Sequence, residues 1–251
     1  MKAEFQSSAS KVSSFESKII ELLEDLESLL DQKLVQHFKI SSGVGSGLGN
    51  NVSGKRNESS SLVAQEVIYG RDEDKEMILN WLTSHGNHHN QLSILSIVGM
   101  GGMGKTTLAQ HVYNDPMIEG IFAMKAWVCV SDELDLFTLT RTILESICKE
   151  TDNSRNLEMV QGRLKEKLNG MKFLLVLDDV WNEDRNQWKS LKTPLKYGVN
   201  RSKILVTTRS NTVASTLESN RIHQLKQLQE DHSMQVFAKY AVQDGSSKLN
   251  S

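Results

Sequence analysis

Residues Gly99-Met-Gly-Gly-Met-Gly-Lys105-Thr106-Thr107 satisfy the pattern G-x-x-x-x-G-K-[ST]. These residue types at this spacing suit the grip of a peptide loop on phosphate. Gly99, Gly101, Gly102 and Gly104 let the backbone curl with its N–H groups turned inward. A helix starting at Lys105 adds the partial positive charge of its first turn at the same place, where Thr107 contributes a further backbone N–H. Lys105 is then placed to reach β- and γ-phosphates, and the Thr106 hydroxyl to ligate Mg²⁺. The competing reading is a Gly-rich turn with an exposed lysine. It fits poorly with the position of the loop, between the apolar run ending Ser96-Ile97-Val98 and the helical stretch Thr106–Tyr113.

Two further groups belong to the same chemistry. Phe173-Leu-Leu-Val-Leu-Asp178-Asp179 is an apolar run closed by two carboxylates. A lone carboxylate at a strand end is usually a helix cap. Two of them beside a phosphate loop suit a cation-binding acid, Asp178, acting directly or through water, and a residue that orients or deprotonates an attacking water, Asp179. Lys203-Ile-Leu-Val-Thr-Thr-Arg209 ends another apolar run with a cation. Arg209 is either a solvated loop residue or, at the carboxyl edge of an open α/β sheet, a sensor of the γ-phosphate.

The elements that must position these groups follow from hydrophobic patterning. Apolar runs at Leu92–Val98, Lys125–Val130, Phe173–Leu177 and Lys203–Thr207, with a shorter one at Ile222–Leu225, show little polar alternation, as strands buried on both faces should. Helical periods lie between them, at Leu108 and Val112, at Ile143 to Cys148, and at Leu157 to Leu168. Strands separated by helices imply βαβ units and a parallel sheet. Upstream, Phe15, Ile19, Leu22, Leu26 and Leu29 recur every three or four residues, which makes a helix with one broad apolar stripe that needs a partner. Residues 41–61 hold five Gly and seven Ser and read as a flexible linker. The expected organisation is a helical segment at 1–40, the linker at 41–61, an α/β nucleotide-binding domain at 62–243 and a disordered polar tail at 244–251.

Composition narrows the partners. With 29 basic and 31 acidic residues, the chain has no excess positive charge to hold nucleic acid or a membrane surface, and neither is expected. No apolar stretch is long enough to span a bilayer, and the first residues lack a signal-peptide core. Cys129 and Cys148 are too few for a disulfide framework, so a reducing, cytoplasmic setting is expected. His88-His89 has no cysteine or acid at ligand spacing, which argues against zinc. Trp81, Trp181 and Trp188 are expected in the core rather than at an interface.

Taken together, the motifs resemble the nucleotide-binding module of plant disease-resistance receptors, the NB-ARC type of signal-transduction ATPase. The resemblance is carried in order by Val67-Ile-Tyr-Gly-Arg71-Asp-Glu-Asp, the stretch at 99–115, Phe122 with Lys125–Asp132, residues 174–184, residues 203–210 and residues 223–241. Trp181 and the run Ala126-Trp-Val-Cys-Val-Ser-Asp132 resemble the class with an N-terminal coiled coil, and Phe15–Leu34 resembles the last helix of that coiled coil. The resemblance implies a P-loop NTPase with a parallel five-stranded sheet of order 5-1-4-3-2, flanked by helices. It also implies binding of ADP or ATP with Mg²⁺, and a nucleotide-dependent switch in defence with, at most, slow ATPase turnover. Ile68, Gly70 and Arg71 are implied to line the adenine and ribose end of the pocket. Other immune receptors or helper proteins are implied as partners of the N-terminal helix.

The family's Gly-Leu-Pro-Leu and Met-His-Asp motifs do not occur in the sequence. The expectation is therefore a truncated core with a half-open pocket, micromolar affinity, rapid ADP exchange and self-association through apolar residues such as Val236, Phe237 and Tyr240. The alternative is a non-hydrolysing adaptor or decoy that works through the N-terminal helix. A GTPase is disfavoured because no Asn-Lys-x-Asp string is present. A small-molecule kinase is disfavoured because Asp184–Lys196 is only mildly basic for a lid.

Overall fold

The computed structural model describes residues 59–63, 67–84, 92–130 and 135–246. The apolar stripe at Phe15–Leu34, most of the linker, and the last five residues of the chain lie outside them. In chain order the elements are α1 (Asp72–Thr83), β1 (Leu92–Val98), α2 (Lys105–Tyr113), a 3₁₀ turn at Pro116–Ile118, β2 (Met124–Cys129), α3 (Leu136–Cys148), α4 (Leu157–Leu168), β3 (Phe173–Val180), α5 (Arg185–Leu195), β4 (Ser202–Thr208), α6 (Asn211–Thr216), β5 (Arg221–Gln224) and α7 (Glu230–Ser246). Helix α7 runs past the boundary expected at residue 243.

All strand pairs are parallel, in the order β2-β3-β4-β1-β5. Read from the other edge this is the expected 5-1-4-3-2. β3 and β4 are almost wholly buried, whereas the edge strands β2 and β5 are partly exposed. The continuous apolar runs of the inner strands follow from helices covering both faces.

Successive side chains on a strand point to opposite faces, and the two cores divide accordingly. Leu175, Leu177, Ile204 and Val206 pack with residues of α3, α4, α5 and α6. Leu95, Ile97, Leu174, Val176 and Leu205 pack with residues of α1 and α2. Trp188 is buried in the first core, as expected. Trp81 and Trp181 are only half-buried.

Four helices begin with side-chain caps: Asp135 for α3, Asn156 for α4, Asp184 for α5 and Ser210 for α6 each accept a backbone N–H of the first turn. α2 is built differently. Its N-cap is Gly104 at φ 85°, no side chain caps it, and its first turn contains no acidic residue. The first-turn N–H groups of α2 are therefore directed into the loop that precedes it.

The sheet has one irregularity. Leu177 pairs with Val206 and Val180 with Thr208, so β3 takes three steps where β4 takes two. The extra residue makes a bulge at Asp178–Asp179, with Asp179 at φ 54°. The bulge reverses the alternation: Val180 joins the α3–α6 core instead of facing α1 and α2.

The far end of the sheet depends on a close approach. A methyl group on Gly198 would lie 2.5 Å from Cε1 of the buried Phe173 ring and 2.9 Å from Ser202 Oγ. Gly198→Ala should therefore destabilise the domain by about 1–3 kcal/mol through overpacking, read as a lower urea midpoint at unchanged slope. An unchanged midpoint would show that the Gly198 turn can open without disturbing Phe173.

Candidate functional site

The loop 99–104 leaves β1 and enters α2. Gly102 and Gly104 have φ 76° and 85°, in the left-handed region that a side chain would strain. Gly99 N–H donates to Thr208 O at 3.3 Å, which ties the start of the loop to β4. Lys105, the first residue of α2, is 6% exposed, and its Nζ donates to Met100 O at 2.8 Å. Burial holds the Lys105 ammonium below the usual lysine range, and the Arg209 charge pushes in the same direction, against Asp179 and Asp178. A desolvated cation and the uncapped first turn of α2 thus converge on one loop. Both favour an anion there.

One helical position further, the Thr106 hydroxyl donates to Asp178, lying 3.0 Å from Oδ1 and 3.1 Å from Oδ2. Asp178 is 1% exposed, so its carboxylate must be hydrogen-bonded within the protein. Thr207 Oγ1 donates to Oδ1 at 2.5 Å, and Ser59 Oγ donates to Oδ2 at 2.6 Å. The Thr207 oxygen also accepts the Asp179 N–H at 2.9 Å. One hydroxyl on β4 therefore holds both the carboxylate and the bulge that presents it.

Asp179 and Arg209 are more open. Arg209 Nε lies 3.9 Å from Asp179 Oδ1, and its guanidinium stacks over Trp181 at 4.7 Å from the ring centre. It also rests on the loop, since a methyl on Gly101 would come within 3.0 Å of its Nη1. Lys105, Thr106, Asp178, Asp179 and Arg209 are thus gathered at the carboxyl ends of β1, β3 and β4. Thr107 follows on α2, half-buried.

The upstream group approaches the same loop from another side. Ile68 packs against the core on the α1–α2 face. A methyl on Gly70 would meet the His232 ring at 2.5 Å. Arg71, 6% exposed, donates to Met103 O at 3.0 Å, Lys226 O at 2.8 Å and Asp74 Oδ2 at 3.2 Å. Asp74 in turn meets His223 Nε2 at 2.7 Å. The Arg71 guanidinium therefore clamps the phosphate loop to the segment after β5.

The donor set fits a hard divalent cation. Thr106 and Asp178 bring a hydroxyl and a carboxylate into contact beside a phosphate-type loop, and Mg²⁺ characteristically takes one or two protein oxygens and completes its shell with phosphate and water. Among the described residues no group of three or more His, Cys, Asp or Glu forms a site of another kind.

The sequence reading did not identify Thr207 or Ser59. A threonine within an apolar strand carries no local signal; only the partner across the sheet shows its use. Ser59 lies in a serine-rich stretch whose composition suggests only flexibility.

The profile of the NB-ARC domain matches residues 71–247. The chain is similar to disease resistance protein RGA2 of Solanum bulbocastanum, at 39% identity over 187 residues, 74% of this chain and 19% of that protein. It is similar to disease resistance RPP13-like protein 4 of Arabidopsis thaliana, at 32% identity over 192 residues, 75% of this chain and 22% of that protein. It therefore spans about a fifth of the length of these relatives. Among solved structures, Cdc6p from Pyrobaculum aerophilum shares the fold, with a TM-score of 0.57 at 18% identity over 72% of this chain and 51% of that one.

Thr207→Val keeps the shape of the side chain but removes the hydroxyl from Asp178 and the Asp179 N–H. It should cost about 1–3 kcal/mol in chemical denaturation, while Thr207→Ser stays near the parent. Equal stability of Thr207→Val and the parent would mean that the bulge is held by other contacts.

Proposed function

The chain belongs to the NB-ARC domain family, and on that premise we propose that it is the ADP/ATP-binding module of a plant disease-resistance receptor, a nucleotide-dependent switch in defence with, at most, slow ATPase turnover. The observation that carries this reading is the meeting, within one loop, of the buried Lys105, the uncapped start of α2 and the Thr106–Asp178 pair. Resemblance of the chain to proteins named for disease resistance supports the setting. A cytoplasmic location goes with that role, and no helix among the described residues is long and apolar enough to cross a membrane.

In this reading the N–H groups of residues 99–107 cradle the β-phosphate, with Lys105 turning from the Met100 carbonyl to the phosphates. Thr106 and Asp178 hold Mg²⁺, which when bound offsets phosphate charge. Asp179, a quarter exposed, orients a water. Arg209, stacked over Trp181 and 45% exposed, reads the γ-phosphate. Ile68 and Gly70 form the base and ribose end, and Arg71 contributes by holding the loop through Met103 O. Slow turnover follows because in-line attack needs a fixed water and a closed site. Met234 and Phe237 on α7 are 60% and 66% exposed, an apolar surface that supports self-association.

Lys105→Ala and Lys105→Arg should each weaken ADP binding at least tenfold, or about 1.4 kcal/mol. A guanidinium does not replace a compact ammonium in the same space. Titration with a fluorescent ADP analogue checks this, and unchanged affinity in both variants would defeat the phosphate-loop assignment.

Arg209→Ala should lose more affinity for ATP than for ADP, since a charge-assisted contact is worth about 1.5–3 kcal/mol. Parallel titrations with the two nucleotides measure the difference. Equal losses would place Arg209 away from the γ-phosphate.

A further inference from the structure

Residues 59–61, at the end of the Ser-rich stretch, are seated on the phosphate-loop helix. Gln110 on α2 and Asn114, the residue that caps its C-terminus one turn later, donate to the backbone carbonyls of Ser60 and Ser61, each at 2.6 Å. Ser59 is held from a third side, where Trp127 Nε1 on β2 donates to its Oγ at 3.4 Å. Trp127 itself is braced edge-on by Tyr113, with ring centres 5.7 Å apart. These contacts fix the register of the segment, and that register delivers the Ser59 hydroxyl to Asp178 Oδ2 at 2.6 Å.

The carboxylate of Asp178 is thereby saturated. Its two oxygens offer about four lone-pair positions. Oδ1 receives Thr207 and a share of the Thr106 proton, and Oδ2 receives Ser59 and the other share. A cation, or a water bound to it, needs one of these positions. Thr207 lies within β4 and is fully buried, so it cannot leave. Thr106 can rotate to offer its own lone pair to the ion, which vacates its share on each oxygen and leaves Ser59 as the remaining competitor on Oδ2. Ser59, half-buried on an irregular segment, is the partner able to withdraw.

We propose that residues 59–61 form a strap that competes with Mg²⁺-nucleotide at Asp178: strap docked, the Ser59 hydroxyl holds one Oδ2 position that the cation or its water can use; strap released, that position is open. This rests on the reading of Thr106 and Asp178 as the Mg²⁺ site. Coupling is reciprocal, so a cation that loosens the strap is weakened by it to the same extent. Whatever pulls on the chain before residue 59 then alters cation affinity without touching the nucleotide. The effect runs through the Gln110 and Asn114 contacts on the helix whose first turn faces the phosphates.

The test uses the full chain and a fluorescent ATP analogue, titrated first in EDTA and then with increasing Mg²⁺. Ser59→Ala should lower the Mg²⁺ midpoint at least about fivefold, the low end of ordinary coupling between sites, and the Gln110→Ala/Asn114→Ala pair should shift it in the same direction. A second readout follows the strap itself. Ser61→Cys leaves the carbonyl contact with Asn114 intact, and its alkylation, read on its own peptide, should speed up when Mg²⁺ and ATP are added together but not with ATP in EDTA. An unchanged or raised midpoint in Ser59→Ala, the latter making Ser59 a helper of the cation, would overturn the proposal, as would alkylation indifferent to Mg²⁺. Loss of ATP binding under every condition would instead overturn the nucleotide reading, and the strap with it.

Discussion

A carboxylate that is 1% exposed can remain charged only if its oxygens are hydrogen-bonded, and the centre of this protein is arranged around that requirement at Asp178. The hydroxyls that meet it come from separate parts of the chain: Thr106 from the start of α2, Thr207 from β4 and Ser59 from the segment before α1. Each supplies a proton and none brings a charge. The carboxylate is met by hydroxyl donors instead of an internal ion pair. The same contacts lock the first turn of α2 against the ends of β3 and β4, so the phosphate loop has little freedom to shift relative to the acids.

The bulge in β3 is part of this arrangement. In a regular strand, Asp178 and Asp179 would point to opposite faces, and Val180 would return to the face of Asp178. The extra residue keeps Asp178 directed toward α2, moves Val180 into the core beneath α3–α6, and leaves Asp179 partly open beside Arg209. An aspartate at positive φ costs local strain, which the Thr207 oxygen helps offset by accepting the Asp179 N–H. Two neighbouring carboxylates acquire different environments in this way, one buried and saturated, the other half-open and facing a cation.

Capping shows how charge is apportioned. α3, α4, α5 and α6 consume their first-turn donors on their own side chains, while α2 does not. Lys105 adds a desolvated ammonium at the same point, its burial offset by a carbonyl contact at Met100 O and by the nearby charges of Asp179 and Asp178. On the other flank, Arg71 spends its guanidinium on Met103 O, Lys226 O and Asp74. It thereby fixes the outer side of the loop and links it through Asp74 to His223 on β5.

Much of this was legible in the sequence, because it is written in local patterns. The loop glycines, Lys105 and Thr106 are contiguous. Asp178, Asp179 and Arg209 close apolar runs, and strand–helix alternation fixes a parallel sheet whose carboxyl edge must carry them. Other features depend on residues far apart in the chain. That Thr207 serves Asp178 is visible only once β3 and β4 are in register. That Arg71 holds the loop rather than standing free requires the segment after β5 to fold back beside α1. That Ser59 reaches a carboxylate 119 positions away required the strap to settle on Gln110 and Asn114. Residue type and short-range period determine which elements form and which groups can react. Hydrogen-bond satisfaction across the sheet decides how those groups are paired, because a buried polar atom takes whichever partner the packing brings within reach.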